Sequence, residues 1–386
     1  MKKFLMYGAG NIGRGFIGRV FGTAGYGLCF VDVNEEIVAR LNADKRYPVE
    51  LVSENVRAEI TVKNVRAVNG RDEARVAEEI AGCDLMATAV GVNALKYIAR
   101  LLAAGLNLRM ERGRPPLDII ICENMLGADT YLRGLVAENM DEQYRARLIH
   151  EVGFVEASIG CMVPAVTEAD KDGNPLRVFA EPYDFLPVDK AAFRGPLPDV
   201  SNLRPYAPFA LMIQRKLFMH NMSHAVTAYL GAAAGYEYIY QAVGDPRIRA
   251  AARAALDESV RALADEHGAD PRELAGHADD LIRRFGNAAL KDTVARVGWD
   301  TIRKLGADDR LTGAFKLCVK HGVYPRNIME GVAAALRFGP PGDVASAEVS
   351  AYANAYGPVA ALQKYAGLGA EYGEYLKEIE RIFVRF

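Results

Sequence analysis

The sequence has no long hydrophobic run, no excess of charge of either sign and little cysteine. No stretch approaches the roughly 20 consecutive apolar residues that a membrane-spanning helix needs, so no bilayer crossing is expected. Acidic and basic residues nearly balance, 49 against 47, for a net charge of −2. A nucleic-acid partner calls for a basic face that displaces counterions, and none is expected here. The five cysteines (Cys29, Cys83, Cys122, Cys161 and Cys318) are scattered and never stand at two-residue spacing, which argues against a zinc framework. Several lie inside apolar runs, where cysteine behaves as a small buried hydrophobe, and this usage fits a reducing, cytoplasmic compartment. After Met1-Lys2-Lys3 only four apolar residues precede the glycines and Arg14, too few for the core of a signal peptide.

What is present is an ordinary globular composition, 51% hydrophobic and 25% charged over 386 residues. At roughly 100–200 residues per domain, that length predicts two domains. The first half alternates short apolar runs with helical patterns, the signature of βαβ units and a parallel sheet. Phe4-Leu5-Met6-Tyr7 and Leu28-Cys29-Phe30-Val31 read as strands. Between them Ile12, Phe16, Ile17, Val20 and Phe21 form one apolar helical face. Asp84 to Val90 and Leu117 to Cys122 read as further buried strands, whereas Tyr47 to Val68, with Val56, Ala58, Ile60 and Val62 alternating with polar residues, reads as an antiparallel excursion. Four prolines between Phe193 and Pro208 mark a boundary, and beyond it the pattern is helical. Asp245-Pro246 and Asp270-Pro271 look like helix starts, with Gly268 and Gly286 as their ends. The expected fold class is α/β: a Rossmann-type doubly wound sheet over residues 1–195, followed by a mostly α-helical domain over 196–386.

Chemistry enters first at Gly8-Ala9-Gly10-Asn11-Ile12-Gly13, between the first strand and its helix. A GxGxxG string alone is weak. Here strand, helix and a second strand ending in Asp32 all fall within about 30 residues, the context a dinucleotide fingerprint requires. Gly8 allows the tight turn, Gly10 lets backbone approach a pyrophosphate, and Gly13 lets helix and sheet pack closely. A carboxylate at Asp32 accepts from ribose hydroxyls and repels a 2′-phosphate, which favours NAD over NADP. Val90, Glu123 and Asn124 end two later strands, where ligands of open α/β sheets bind; Asn124 is the candidate for a nicotinamide or substrate contact. Glu123 and Asn124 read equally well as caps of the following helix.

A second element is Lys216-Leu217-Phe218-Met219-His220-Asn221-Met222-Ser223-His224-Ala225. On an α-helix Asn221 lies about 140° and His224 about 80° around from Lys216, within one broad face, with about 12 Å of axial rise from first to last. The trio suits oxidation of an alcohol without a metal. A desolvated lysine serves as base for the hydroxyl proton, while Asn221 and His224 donate to the developing oxyanion. His220 faces elsewhere. A third feature is the basic run Arg296, Arg303, Lys304 and Arg310 around Trp299, of which Arg303, Lys304 and Arg310 are candidates for a substrate phosphate. Asp292, Asp300, Asp308 and Asp309 are interleaved with it, so a solvated, salt-bridged surface is the other reading. The remaining histidines fall in no metal-ligand spacing, and no metal is expected.

Taken together, Tyr7 through Gly18, Cys122-Glu123-Asn124-Met125, Glu181 with Asp189, Lys216 through Gly231, and Leu290-Lys291-Asp292 through Arg310-Leu311 resemble the polyol-specific long-chain dehydrogenases of the mannitol dehydrogenase family, nearly end to end. The Lys-Leu-Phe-x-x-Asn-x-x-His-Ala run is the most specific part. The resemblance implies Lys216 as general base, Asn221 and His224 at the reacting oxygen, NAD as hydride carrier and no zinc. It further implies interconversion of D-mannitol 1-phosphate and D-fructose 6-phosphate; an unphosphorylated polyol or a hexuronate is the alternative substrate. The expected partners are that small molecule alone, with the chain a monomer or small homo-oligomer. Two stretches depart from the family pattern and bear on the polyol more than on the reaction: Ile159-Gly160-Cys161 before Met162-Val163-Pro164, and Leu186 where tryptophan is common.

Overall fold

The computed structural model describes residues 1–53, 56–164 and 169–386. Backbone contacts divide the chain into two compact units, Met1–Ile213 and Gln214–Phe386. The proline-rich segment 193–208 lies inside the first unit. Asp118, buried at the base of a core strand, fixes it by accepting from the backbone N–H of Arg194 (2.7 Å) and Gly195 (3.0 Å). Leu203–Tyr206 then runs parallel to Leu186–Asp189.

The first unit is built on strands β1 (Lys3–Tyr7), β2 (Gly27–Asp32), β3 (Arg46–Val52), β4 (Arg57–Lys63), β5 (Val65–Asn69), β6 (Leu85–Thr88), β7 (Leu117–Ile121), β8 (Val152–Glu156) and β9 (Val178–Ala180). Six of them form one sheet in the order β5-β2-β1-β6-β7-β8, every neighbouring pair parallel. The order reverses between β1 and β6, and the crevice beyond the carboxyl ends there is where such sheets bind ligands. Alternate residues of each strand feed two cores. Phe4, Met6, Leu28 and Phe30 pack with Phe16, Ile17, Val20 and Phe21, while Leu5, Tyr7, Cys29 and Val31 pack with Ile98, Leu102 and Leu106 of the helix Leu95–Glu111. Burial on both faces explains why these strands read as continuous apolar runs.

The antiparallel excursion is shorter than the sequence pattern suggested. β3 and β4 pair antiparallel, but β5 returns to the main sheet beside β2, with Asp32 opposite Asn69. Of the alternating residues Val56, Ala58, Ile60 and Val62, only Val62 is buried. The excursion forms a separate three-stranded sheet, completed by β9 in parallel register with β3.

The second unit is helical. Asp245 and Asp270 cap their helices by accepting from the N–H of Arg247 and Arg272 (both 2.8 Å), ahead of Pro246 and Pro271, and Gly268 ends the first helix in the left-handed conformation. At the helix Arg326–Ala335 the N-cap is Pro325, which has no capping side chain. Its role falls to the buried Glu258 of the neighbouring helix, which accepts from Asn327 N (2.8 Å), Asn327 Nδ2 (2.7 Å) and Ile328 N (3.0 Å). All five cysteines are buried and free of disulfides. Among the described residues no helix is long and apolar enough to cross a membrane.

Candidate active site

In the first unit the glycine loop follows β1 directly. Gly8 adopts φ +103°, and a Cβ there would stand 2.4 Å from the carbonyl oxygen of Ala89, where the loops after β1 and β6 meet. A Cβ at Gly13 would stand 2.0 Å from Gly8 O, so that glycine serves close packing. Gly10 differs: nothing lies within 4 Å of where its Cβ would be. The loop therefore presents open space at the position where a pyrophosphate needs to approach backbone, and the residues fit a dinucleotide. Asp32 ends β2 as expected. Its Oδ2 accepts from Ala9 N (2.6 Å) and its Oδ1 from Asn34 N (2.9 Å), so it ties the loop to the strand while each oxygen keeps a further lone pair for ribose hydroxyls.

Glu123 matches neither expectation. Its carboxylate is turned into the protein and accepts from Val90 N and Gly91 N (2.9 Å each); burial pushes its pKa up against those bonds. It holds the loop after β6 and does not cap the helix Ala128–Asn139, which starts from Gly127. Asn124 is exposed at the end of β7. The sequence reading missed Arg14. Buried in the first helix, it donates from Nε to Ala9 O (2.7 Å) and from a terminal nitrogen to Leu176 O (2.6 Å), which braces the glycine loop from behind. An arginine inside an apolar helical face was the available signal.

In the second unit Lys216–Asn221 is a π-helical segment that continues into the α-helix Met222–Ala233. Hydrogen bonding from i to i+5 widens the turn, so Lys216 and Asn221, five residues apart, come closer around the axis than α geometry allows. Burial shows the shared face. From Lys216 to Ala225 only Lys216, Asn221 and His224 are not fully buried. The Nδ2 of Asn221 is enclosed and has no hydrogen-bond partner among the described residues, so a donor stands ready for a ligand oxygen.

His224 stacks on Phe285 at 4.6 Å and 9°, and its Nε2 lies 3.4 Å from Oδ2 of Asp292. Arg296 engages the other carboxylate oxygen of Asp292 (2.6 Å from Nε, 2.5 Å from a terminal nitrogen). The sequence reading placed Asp292 among solvated acids; its side chain is only 9% exposed. His220 does not face elsewhere: it stands four residues before His224, a step that shares one helix face, and its ring centroid lies 6.0 Å from that of His224. Its pKa is held well below the ordinary value by burial, then by the charges of Arg284, His224, His277 and Lys216.

The basic run splits. Arg303 and Lys304 line a cavity of about 530 Å³ with Ala295, Arg296, Trp299 and Asp300. Arg310 does not line it and instead pairs with Asp309 (2.8 Å), its charge reaching His224. Arg303 pairs with Asp300 (3.2 Å), while the buried ammonium of Lys304 donates to Trp299 O. Burial pushes the Lys304 pKa down to about 7, with Arg310 and Arg303 adding to the effect. Among the described residues, no three His, Cys, Asp or Glu side chains gather as a metal site.

The chain is similar to known proteins over nearly its whole length. The family profiles described as the mannitol dehydrogenase Rossmann domain and the mannitol dehydrogenase C-terminal domain match residues 2–202 and 207–366. A mannitol-1-phosphate 5-dehydrogenase of Brevibacillus brevis is 40% identical over 375 residues, covering 97% of this chain and 95% of that one. Among solved structures, Pseudomonas fluorescens mannitol 2-dehydrogenase, in ternary complex with NAD and D-mannitol, has TM-score 0.77 at 15% identity over 99% of this chain and 91% of its own. A D-sorbitol dehydrogenase in substrate-free form has TM-score 0.80 at 15% identity over 100% and 92%. These two share the fold. The two profiles and the Brevibacillus relative together establish that this chain belongs to the mannitol dehydrogenase family.

Proposed function

We propose that the protein is an NAD-dependent oxidoreductase that interconverts D-mannitol 1-phosphate and D-fructose 6-phosphate, with Lys216 as general base and no metal called for. The observation that carries this reading is the single polar face of the 216–224 segment, where a lysine, an enclosed amide donor without a partner and an imidazole are the residues not buried. In the oxidative direction the neutral Lys216 amine takes the hydroxyl proton, and the Asn221 amide donates to the oxygen as its negative charge develops. In reduction the Lys216 ammonium returns that proton to the carbonyl oxygen. NAD, when bound, supplies the hydride acceptor. Gly8, Ala9, Gly10, Asn11, Ile12 and Gly13 would cradle its pyrophosphate, Asp32 would hold its ribose hydroxyls, and Val90 and Asn124 would border its nicotinamide, with Glu123 holding Val90 in place.

The phosphate reading rests on Arg303 and Lys304 sharing one cavity, with Arg310 contributing charge from outside it. A specific observation favours an uncharged substrate end: Arg296 and Arg303 already face Asp292 and Asp300. Measuring kcat/KM with NADH for fructose 6-phosphate, fructose and a set of keto-uronates separates the two. Preference for the phosphate by 100-fold or more is expected. Equal values for fructose and its phosphate would overturn the phosphate assignment and leave the dehydrogenase chemistry standing.

A further inference from the structure

The His224 imidazole has one nitrogen whose surroundings are settled. Nε2 is enclosed, has no other hydrogen-bond partner among the described residues, and faces Asp292 Oδ2 at 3.4 Å. That distance is long for a hydrogen bond, yet close enough for the carboxylate charge to act on the ring. Charge decides which atom carries the proton. Burial lowers the His224 pKa, the contact with Asp292 opposes it, and Arg296 and Arg310 add to the lowering; the net shift is downward and the ring is neutral near pH 7. Burial alone would raise the Asp292 pKa, but His224 and Arg296 outweigh it, so the carboxylate stays ionised. A neutral imidazole whose enclosed nitrogen faces an anion has to place its one N–H there, since two facing lone pairs repel. Phe285, stacked on the ring, resists a ring flip.

We infer that Asp292 is a positioning residue that fixes His224 as the Nε2–H tautomer, leaving Nδ1 as an acceptor for a substrate hydroxyl. This rests on the reading of the 216–224 face as the reactive site, and it changes the task of His224 within that face. An acceptor cannot stabilise a developing oxyanion, so that work belongs to Asn221. His224 instead takes a hydrogen bond from a second hydroxyl beside the reacting carbon and favours polyols over simple alcohols. Of the side-chain atoms, it is those other than Nε2 that supply the 14% exposure of His224, which a ligand hydroxyl can meet. Arg296 belongs to the same device, because it occupies Asp292 Oδ1 and leaves Oδ2 for the imidazole.

The test is ¹⁵N NMR of the full-length protein labelled in histidine, with the His224 signal assigned by its loss in His224→Asn. The wild type is expected to show Nε2 protonated and Nδ1 bare near pH 7. Asp292→Asn, whose amide offers a donor to the same nitrogen, should shift the ring toward Nδ1–H and lower kcat/KM for the polyol about 10²-fold, leaving the NADH dissociation constant unchanged. A wild-type ring protonated on Nδ1, or Asp292→Asn with unchanged tautomer and turnover, would overturn the inference. The wild-type spectrum decides even if the variant does not fold. Lys216→Ala keeps the two claims apart: full turnover in that variant sinks the site reading, whereas a dead variant beside a wild-type Nδ1–H ring sinks only the role given to Asp292.

Discussion

If Lys304 holds the substrate phosphate, binding is coupled to pH in a calculable way. The buried ammonium has its pKa pushed down to about 7 from an ordinary 10.5. A phosphate binds the charged form, so the free protein has to carry that proton first. With a pKa of about 7, the charged fraction is about one half at pH 7, about one in eleven at pH 8 and about one in a hundred at pH 9. The dissociation constant of fructose 6-phosphate should therefore rise about fivefold from pH 7 to 8 and about 50-fold from pH 7 to 9. The phosphate's own second ionisation, near pH 6, is nearly complete across that range. Calorimetry with NAD present, so that no turnover occurs, reads the constant directly. Repetition in two buffers of different ionisation enthalpy reads the proton uptake, about one half at pH 7. Lys304→Met should flatten the curve. A dissociation constant unchanged between pH 7 and 9, with no proton taken up, would refute the assignment. Stability should move the other way: between pH 7 and 10.5 the unfolded chain binds more protons at this lysine than the folded one, so its contribution to stability rises with pH.

Three further outcomes follow from the geometry. Gly10→Ala meets nothing in the protein and should leave the melting temperature nearly unchanged while weakening NADH binding at least tenfold by fluorescence titration; Gly8→Ala, with positive φ and a backbone oxygen 2.4 Å from the new Cβ, should destabilise the fold itself. Asp32→Ala should erode the preference for NADH over NADPH in kcat/KM, and an unchanged ratio would show that another group reads the ribose. Glu258→Ala leaves two backbone N–H groups and one amide without their acceptor, which should cost about 3 kcal/mol and lower the melting temperature of this region by about 6–10 °C in calorimetry.

Features encoded by neighbouring residues were legible before the structure. The glycine loop, its helix and Asp32 lie within one βαβ unit, so their relation follows from strand and helix periods alone. The capping of helices at Asp245 and Asp270 was visible for the same reason. What the sequence did not show depends on contacts distant along the chain or on backbone form. Asp292 reads as one acid among several until the fold sets it against His224, and Glu258 reads as a mid-helix charge until the helix Arg326–Ala335 arrives beside it. The π-helical turn at Lys216–Asn221 leaves no apolar period of its own, so angles drawn from α geometry separated Lys216 from Asn221 too widely, whereas the four-residue step from His220 to His224 already sets those two rings on one face of an α-helix. Strand β5 misled in the opposite sense: its alternation continues that of β4, yet its partner is β2.

The central claim is that the Lys216 amine takes the proton from the substrate hydroxyl. Single-turnover rapid-mixing kinetics of Lys216→Ala, with mannitol 1-phosphate and saturating NAD, tests it most directly. A hydride-transfer rate at least 10³-fold below wild type is expected, with loss of the wild-type ionisation from the pH–rate profile and an NAD dissociation constant within about twofold of wild type. A variant that transfers hydride at the wild-type rate with the same pH profile would contradict it.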